Sequence, residues 1–207
     1  LAGTWAAEAL RVHAWRPRLT QAIKGFGYEA VEFAGYYGRS AADMRKLLDD
    51  NGLKCCGTHT GLDTLEGDAL AKTIEYNKTI GNKFLIVPWI DEERRKTAED
   101  WKKLAAQFDA LADKVAPAGM RVGYHNHNVE FTPLAGKTPW DLFFGGTKKA
   151  VVQQVDTGNC IDGGGDPVAL IKAYPGRTAT IHIKEFSKTK PDAFVGDGDV
   201  PWKAVFE

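Results

Sequence analysis

Cysteine is scarce in this chain, with three in 207 residues: Cys55, Cys56 and Cys160. An odd count with two neighbours in one apolar segment is not a disulfide framework, so these residues are expected to be small buried hydrophobes. Net charge is lacking too, since 27 Lys and Arg stand against 27 Asp and Glu. A neutral chain has no broad basic field with which to neutralise many phosphates, which argues against a nucleic-acid partner. No apolar run of about 18 residues exists to span a bilayer, and no basic-then-apolar leader follows Leu1, so a cytoplasmic protein without a membrane partner is expected. No Pro/Ser-rich linker divides the chain, and one domain over residues 1–207 is expected.

What the chain does have is alternation. Six short apolar runs, Ala30–Ala34, Lys54–His59, Phe84–Trp89, Arg121–His127, Val151–Asp156 and Ala179–Phe186, are each followed by a segment with helix signals. Ser40 with Asp43, Thr97 with Asp100, and Asp166 before Pro167 are helix-start grammar. Gly27, Gly52, Gly81, Gly119 and Gly176 fall where a helix must stop before the next strand. Near the strand ends, Glu32, His59, Trp89, His125, Asp156 and His182 follow one another at 26 to 36 residues, the length of one βα unit. The spacing predicts an α/β protein of the (β/α)8 TIM-barrel type. It is incomplete at both ends in this chain: Leu1 to Arg16 shows no apolar first strand, and no eighth strand precedes Glu207.

The polar residues at the strand ends carry the functional signal, because in such a barrel the C-terminal strand ends meet at one mouth. Asp156, before Thr157-Gly158, is a candidate metal ligand, or else a turn residue bonding the following backbone. In Thr180-Ile-His182-Ile-Lys184 alternation sets His182 and Lys184 on one side of a strand. Imidazole and carboxylate together accept Mn, Co, Mg or Zn and do not by themselves choose among them. A metal held this way polarises a carbonyl and favours proton abstraction beside it. Lys184 would add positive charge at a developing oxyanion, or else pair with Glu185.

His125 and His127 share a strand face and are candidate general acids or bases, with Glu130 close behind. Glu32 interrupts an apolar run and needs a partner, a metal or a substrate group. His59 and Trp89 are candidate sugar contacts, by hydrogen bond and by stacking, although Trp89 is equally suited to packing at the rim. Gly163-Gly-Gly-Asp166 lacks the ending of a phosphate-cradling loop and is given no phosphate role.

Taken together, Gly27-Tyr-Glu-Ala-Val-Glu32-Phe, Gly123-Tyr-His-Asn-His-Asn-Val-Glu130-Phe, Val155-Asp156-Thr-Gly-Asn159, Asp166-Pro-Val, His182-Ile-Lys184-Glu185 and Phe194-Val-Gly-Asp-Gly198 resemble the sugar phosphate isomerase/epimerase family of xylose-isomerase-like barrels. The resemblance runs from about Gly25 to the end. It implies a divalent metal held by Glu, Asp, His and Glu from the last four strands, with the glutamates exchanging protons with substrate. Asp156 matches the aspartate and His182 the histidine. His125 stands in the first glutamate's place, with Glu130 a few residues later as the other candidate ligand, and the last glutamate has no counterpart.

The resulting expectation is a metal-dependent sugar or keto-sugar isomerase/epimerase that takes a proton beside a carbonyl. Its partner is a small carbohydrate, and a homo-oligomer is left open. One alternative is a lyase or dehydratase on a keto-polyol or 3-keto-glycoside, which the histidine in the glutamate position favours. The other is a barrel that binds carbohydrate without turnover. An abasic-site endonuclease is disfavoured by the neutral charge.

Overall fold

A computed structural model describes residues 17–134 and 136–207. All six expected runs form strands: β1 (Ala30–Phe33), β2 (Lys54–His59), β3 (Phe84–Val87), β4 (Arg121–His125), β5 (Val152–Asp156) and β6 (Thr180–His182). They lie side by side in sequence order in one parallel sheet, as consecutive strand–helix–strand crossovers dictate. The helices are α1 (Pro17–Gly25), α2 (Ala41–Asp50), α3 (Ala69–Ile80), α4 (Ala98–Val115), α5 (Pro139–Gly146), α6 (Thr157–Asp162), α7 (Pro167–Ala173) and α8 (Trp202–Phe206). The architecture is an incomplete (β/α)8 barrel. The expectation that Leu1 to Arg16 forms no apolar strand lies outside the described residues.

The local signals act as their chemistry requires. The Ser40 hydroxyl accepts from the Asp43 amide at 3.1 Å and starts α2. Thr97 and Asp100 form a reciprocal capping box on α4, satisfying two amide donors that the first turn leaves orphaned. At Gly81 and Gly119 the chain turns with φ of 75° and 72°, a left-handed conformation in which a side chain would be strained.

Alternation along the strands separates packing from chemistry. Leu85, Val87, Val122, Tyr124 and Val155 point outward, against Trp101, Leu104 and Phe108 of α4 and Trp140, Phe143 and Phe144 of α5. Phe108 and Phe143 meet edge to face at 4.8 Å, the geometry that ring quadrupoles favour. A second cluster joins Val31, Phe33 and Cys55 to Met44, Leu47 and Leu48 of α2 and to Ile80. Each large side chain so buried contributes about 1.5–3 kcal/mol, and this outer layer holds the strands rigid. On the inner faces polar groups share the space with two apolar side chains, Ile86 and Val152, which close on Gly123.

Four strands stop short of the expected ends, β1 by a single residue at Phe33. β3 ends at Val87 before Trp89, β4 at His125 before His127, and β6 at His182 before Lys184. Side chains replace the ladder at two of these points. Asn126 donates to the Asp156 carbonyl at 3.0 Å and accepts from its amide at 2.8 Å, standing in for a strand backbone after His125. The Thr157 hydroxyl accepts from the Lys184 amide at 3.0 Å and lies 2.7 Å from its carbonyl, which ends β6. His182 and Lys184 therefore do not share a strand face.

The cysteines are unpaired; Cys55 and Cys160 are buried as expected, whereas Cys56 is exposed. No helix among the described residues is long and apolar enough to cross a membrane.

Candidate active site at the strand ends

Five of the six strands send a polar side chain to one place. Glu32 comes from β1, His59 from the end of β2, His125 from the end of β4, Gln154 and Asp156 from β5, and His182 from the end of β6. The imidazole rings lie close, with centroids 4.6 Å apart for His125 and His182 and 5.1 Å for His59 and His125. Glu32 gains its room from a register shift between Val31 and Glu32, which sets it opposite Gly57. A Cβ at position 57 would fall 2.5 Å from Glu32 Oε2, so only glycine leaves that carboxylate in place.

The hydrogen bonds fix which atoms are donors. Glu32 Oε1 lies 2.7 Å from His182 Nε2 and 3.2 Å from His59 Nε2, and Oε2 accepts from the Gln154 amide at 2.8 Å. Burial pushes the Glu32 carboxyl up, but the bonds from His182 and His59 outweigh it and hold the group well below the usual carboxylate range. As a carboxylate it can only accept, so His182 and His59 each present Nε2–H to it. Gln154 Oε1 in turn faces His59 Nε2 at 2.9 Å and His125 Nδ1 at 3.0 Å, and accepts from both. Burial, aided by the neighbouring His182 and His59, pulls His125 down to about 3, so its ring is neutral near pH 7 and its Nε2 carries a lone pair. The pKa of His59 is raised: desolvation lowers it, but the bonds to Glu32 and Gln154 prevail.

Two ring nitrogens are thus left facing Asp156 Oδ2, His125 Nε2 at 3.9 Å and His182 Nδ1 at 4.0 Å. Ligands bonded to one ion at about 2.0–2.2 Å sit roughly 3–4 Å from each other, so this donor set fits a divalent metal. The Glu32 contact on the far nitrogen of His182 is the arrangement that orients metal-binding imidazoles in general. One face of His59 also adjoins the group, and candidate ligand atoms of His59, His125 and His182 fall within 4.8 Å of one another.

The two oxygens of Asp156 have different surroundings. Oδ1 accepts from the Asn159 amide at 2.7 Å and caps α6, leaving Oδ2 for the imidazoles, and burial raises the pKa of the carboxyl. Glu130, expected as a catalytic group or alternative ligand, is turned away from the cluster. It is fully buried, with Oε1 taking the Tyr124 hydroxyl at 2.8 Å and Oε2 the His127 amide at 2.7 Å. Tyr124 belongs to the outer core, so it is His125 and not Glu130 that joins Asp156 and His182.

His127 lies at the edge of the cluster, its ring 5.1 Å from that of His125, with a buried Nδ1 that has no hydrogen-bond partner. Trp89 meets this ring edge-on at 5.1 Å and is 44% exposed, with the Arg95 guanidinium 4.4 Å from the indole. Lys184 donates to Asn159 Oδ1 at 2.7 Å rather than to Glu185. Glu185 instead gathers the loop after β6, accepting from the Trp202 indole and the Gly196 amide at 2.7 Å each, and from Phe186 and Val200.

Sequence reasoning missed Gln154, Asn126, Arg95 and the role of Glu185. A signal existed for Gln154, which stands two residues before Asp156 in a strand and so shares its face. The roles of Asn126 and Glu185 depend on loops whose paths the sequence pattern does not fix.

Residues 20–207 match the family described as xylose isomerase-like TIM barrel. The chain is 27% identical over 177 residues to the rhizopine catabolism protein MocC of Rhizobium meliloti, covering 77% of this chain and 54% of that protein. It is 23% identical over 193 residues to an inosose dehydratase of Lacticaseibacillus casei, covering 80% of this chain and 62% of that protein. The chain therefore spans little more than half the length of these curated relatives. A crystal structure of a sugar phosphate isomerase/epimerase from Parabacteroides distasonis shares the fold, with a TM-score of 0.76 and 23% identity over 95% of this chain and 77% of that one. Because the family match takes in every strand and every side chain of the strand-end cluster, the chain belongs to the xylose isomerase-like TIM-barrel family.

Proposed function

We propose that the protein is a divalent-metal enzyme that removes a proton beside the carbonyl of a sugar or keto-sugar, as an isomerase or epimerase. The observation that carries this reading is the convergence of His125 Nε2, His182 Nδ1 and Asp156 Oδ2 at the mouth of the sheet. Mn, Co, Mg or Zn held by these three groups would polarise a carbonyl oxygen and make the adjacent carbon acid.

The chain's own residues supply the rest. His127 keeps an unpartnered ring nitrogen, and burial lowers its pKa, so a neutral imidazole is ready to accept a proton. Glu130 fixes the backbone there by accepting from the His127 amide. Lys184, held by Asn159, brings positive charge to the side where negative charge would develop. Trp89 offers an exposed ring to a sugar C–H face.

A dehydratase on a keto-polyol is the second reading. An imidazole stands where two-carboxylate proton exchange would need its first carboxylate, and one of the relatives named above is an inosose dehydratase. The first proton abstraction is shared by both readings.

The test is exchange in deuterated water with the metal-loaded full-length protein, followed by NMR on keto-sugars and keto-polyols. Deuterium at the carbon beside the carbonyl is expected. Retention of every hydroxyl then marks an isomerase or epimerase, and loss of water marks the dehydratase. Absence of exchange across both substrate classes would contradict the proposal.

A further inference from the structure

We propose that Gln154 is a positioning residue that sets the tautomer of His125 and so turns the His125 Nε2 lone pair toward Asp156. Its amide is completely buried, and all four of its hydrogen-bonding positions are filled. The oxygen takes His59 Nε2 at 2.9 Å and His125 Nδ1 at 3.0 Å; the nitrogen gives to Glu32 Oε2 at 2.8 Å and Thr180 Oγ1 at 3.0 Å.

Only one orientation of the amide satisfies this set. Flipped, its carbonyl would oppose the Glu32 oxygen and its NH2 would meet the His59 Nε2–H already committed to Glu32, leaving buried groups unpaired at a cost of about 1–3 kcal/mol each. The Glu32 contact therefore orients the amide, and the amide oxygen requires a proton on His125 Nδ1. In a neutral imidazole one nitrogen donates and the other accepts, so Nε2 is the free one, and it lies 3.9 Å from Asp156 Oδ2. Gln154 thus links β1, β2, β4 and β6 through side chains alone. Its consequence for metal affinity rests on the function proposed above; the tautomer itself does not.

Long-range 1H–15N NMR on metal-free, full-length protein carrying 15N-histidine reads the tautomers directly, with His125→Gln and His59→Gln assigning the signals. The wild-type protein is expected to show His125 protonated at Nδ1 and bare at Nε2. In Gln154→Met that pattern is expected to be lost, with the Mn2+ dissociation constant rising about 10- to 100-fold.

A wild-type His125 protonated at Nε2 overturns the proposal whatever the variant does. So does an unchanged His125 tautomer in folded Gln154→Met, because a residue serving only to fill space would lower stability and leave the tautomer alone. A wild-type protein with the expected tautomer that binds no Mn2+ upholds the role of Gln154 and removes the metal reading instead.

Discussion

At Asp156 two oxygens do two things, and the two are separable by substitution. Oδ1 caps α6 and Oδ2 faces the imidazoles. Asn caps helices about as well as Asp, so Asp156→Asn is expected to melt within a few degrees of wild type while losing metal affinity. Asp156→Ala should lose both the metal and about 1 kcal/mol of stability, seen as a lower urea midpoint. Glu130 behaves in the opposite way: with both oxygens engaged by Tyr124 and the His127 amide, Glu130→Ala leaves a buried hydroxyl and an amide unpaired. A loss of about 2–4 kcal/mol in urea unfolding is expected, with the metal stoichiometry unchanged; loss of metal without loss of stability would contradict this placement. The Tyr124 hydroxyl and the His127 amide, which engage both Glu130 oxygens, decide between Glu130 and His125, and spacing alone left that choice open.

Elements were legible where a side-chain period or a cap announces them. β1 to β6 sit on the expected runs, and Ser40, Thr97 and Asp166 start helices, because these signals act within a few residues of themselves. The strand ends at Val87, His125 and His182 were not legible, since polar side chains such as Asn126 and Thr157 end pairing in ways that alternation does not encode. In the loop from Phe186 to Val200 the Lys188 amide is taken by Asp199, and the Gly196 and Val200 amides by Glu185, whose desolvation is overcome by hydrogen bonds from Trp202, Gly196, Phe186 and Val200 that bring its pKa down to about 2. A carboxyl depressed on folding stabilises fully above its unfolded value, about 4.3, and that contribution disappears as pH falls through the folded value. Between pH 4.3 and about 2 the Gly196 and Val200 amides should therefore lose protection from hydrogen exchange, and in Glu185→Gln they should already be less protected at pH 6. Equal protection in the variant at pH 6 would contradict the role given to Glu185.

Over the whole molecule, the packed outer layer of aromatics on α4 and α5 holds the strands so that groups from five of them converge without any local metal-binding motif in the sequence. That convergence follows from topology, so a barrel-like strand order made Glu32, His59, His125, Asp156 and His182 legible as a set. Gln154, which ties them together, was hidden among ordinary strand residues. On the proposed function, Asp156, His125 and His182 hold one divalent metal. Elemental analysis of the full-length protein, purified without chelator, beside the folded Asp156→Asn variant tests it most directly. About one equivalent of Mn, Co, Mg or Zn in the wild type, absent from the variant, is predicted; metal retained in full by Asp156→Asn, or none in the wild type after incubation with each of these ions, would contradict it.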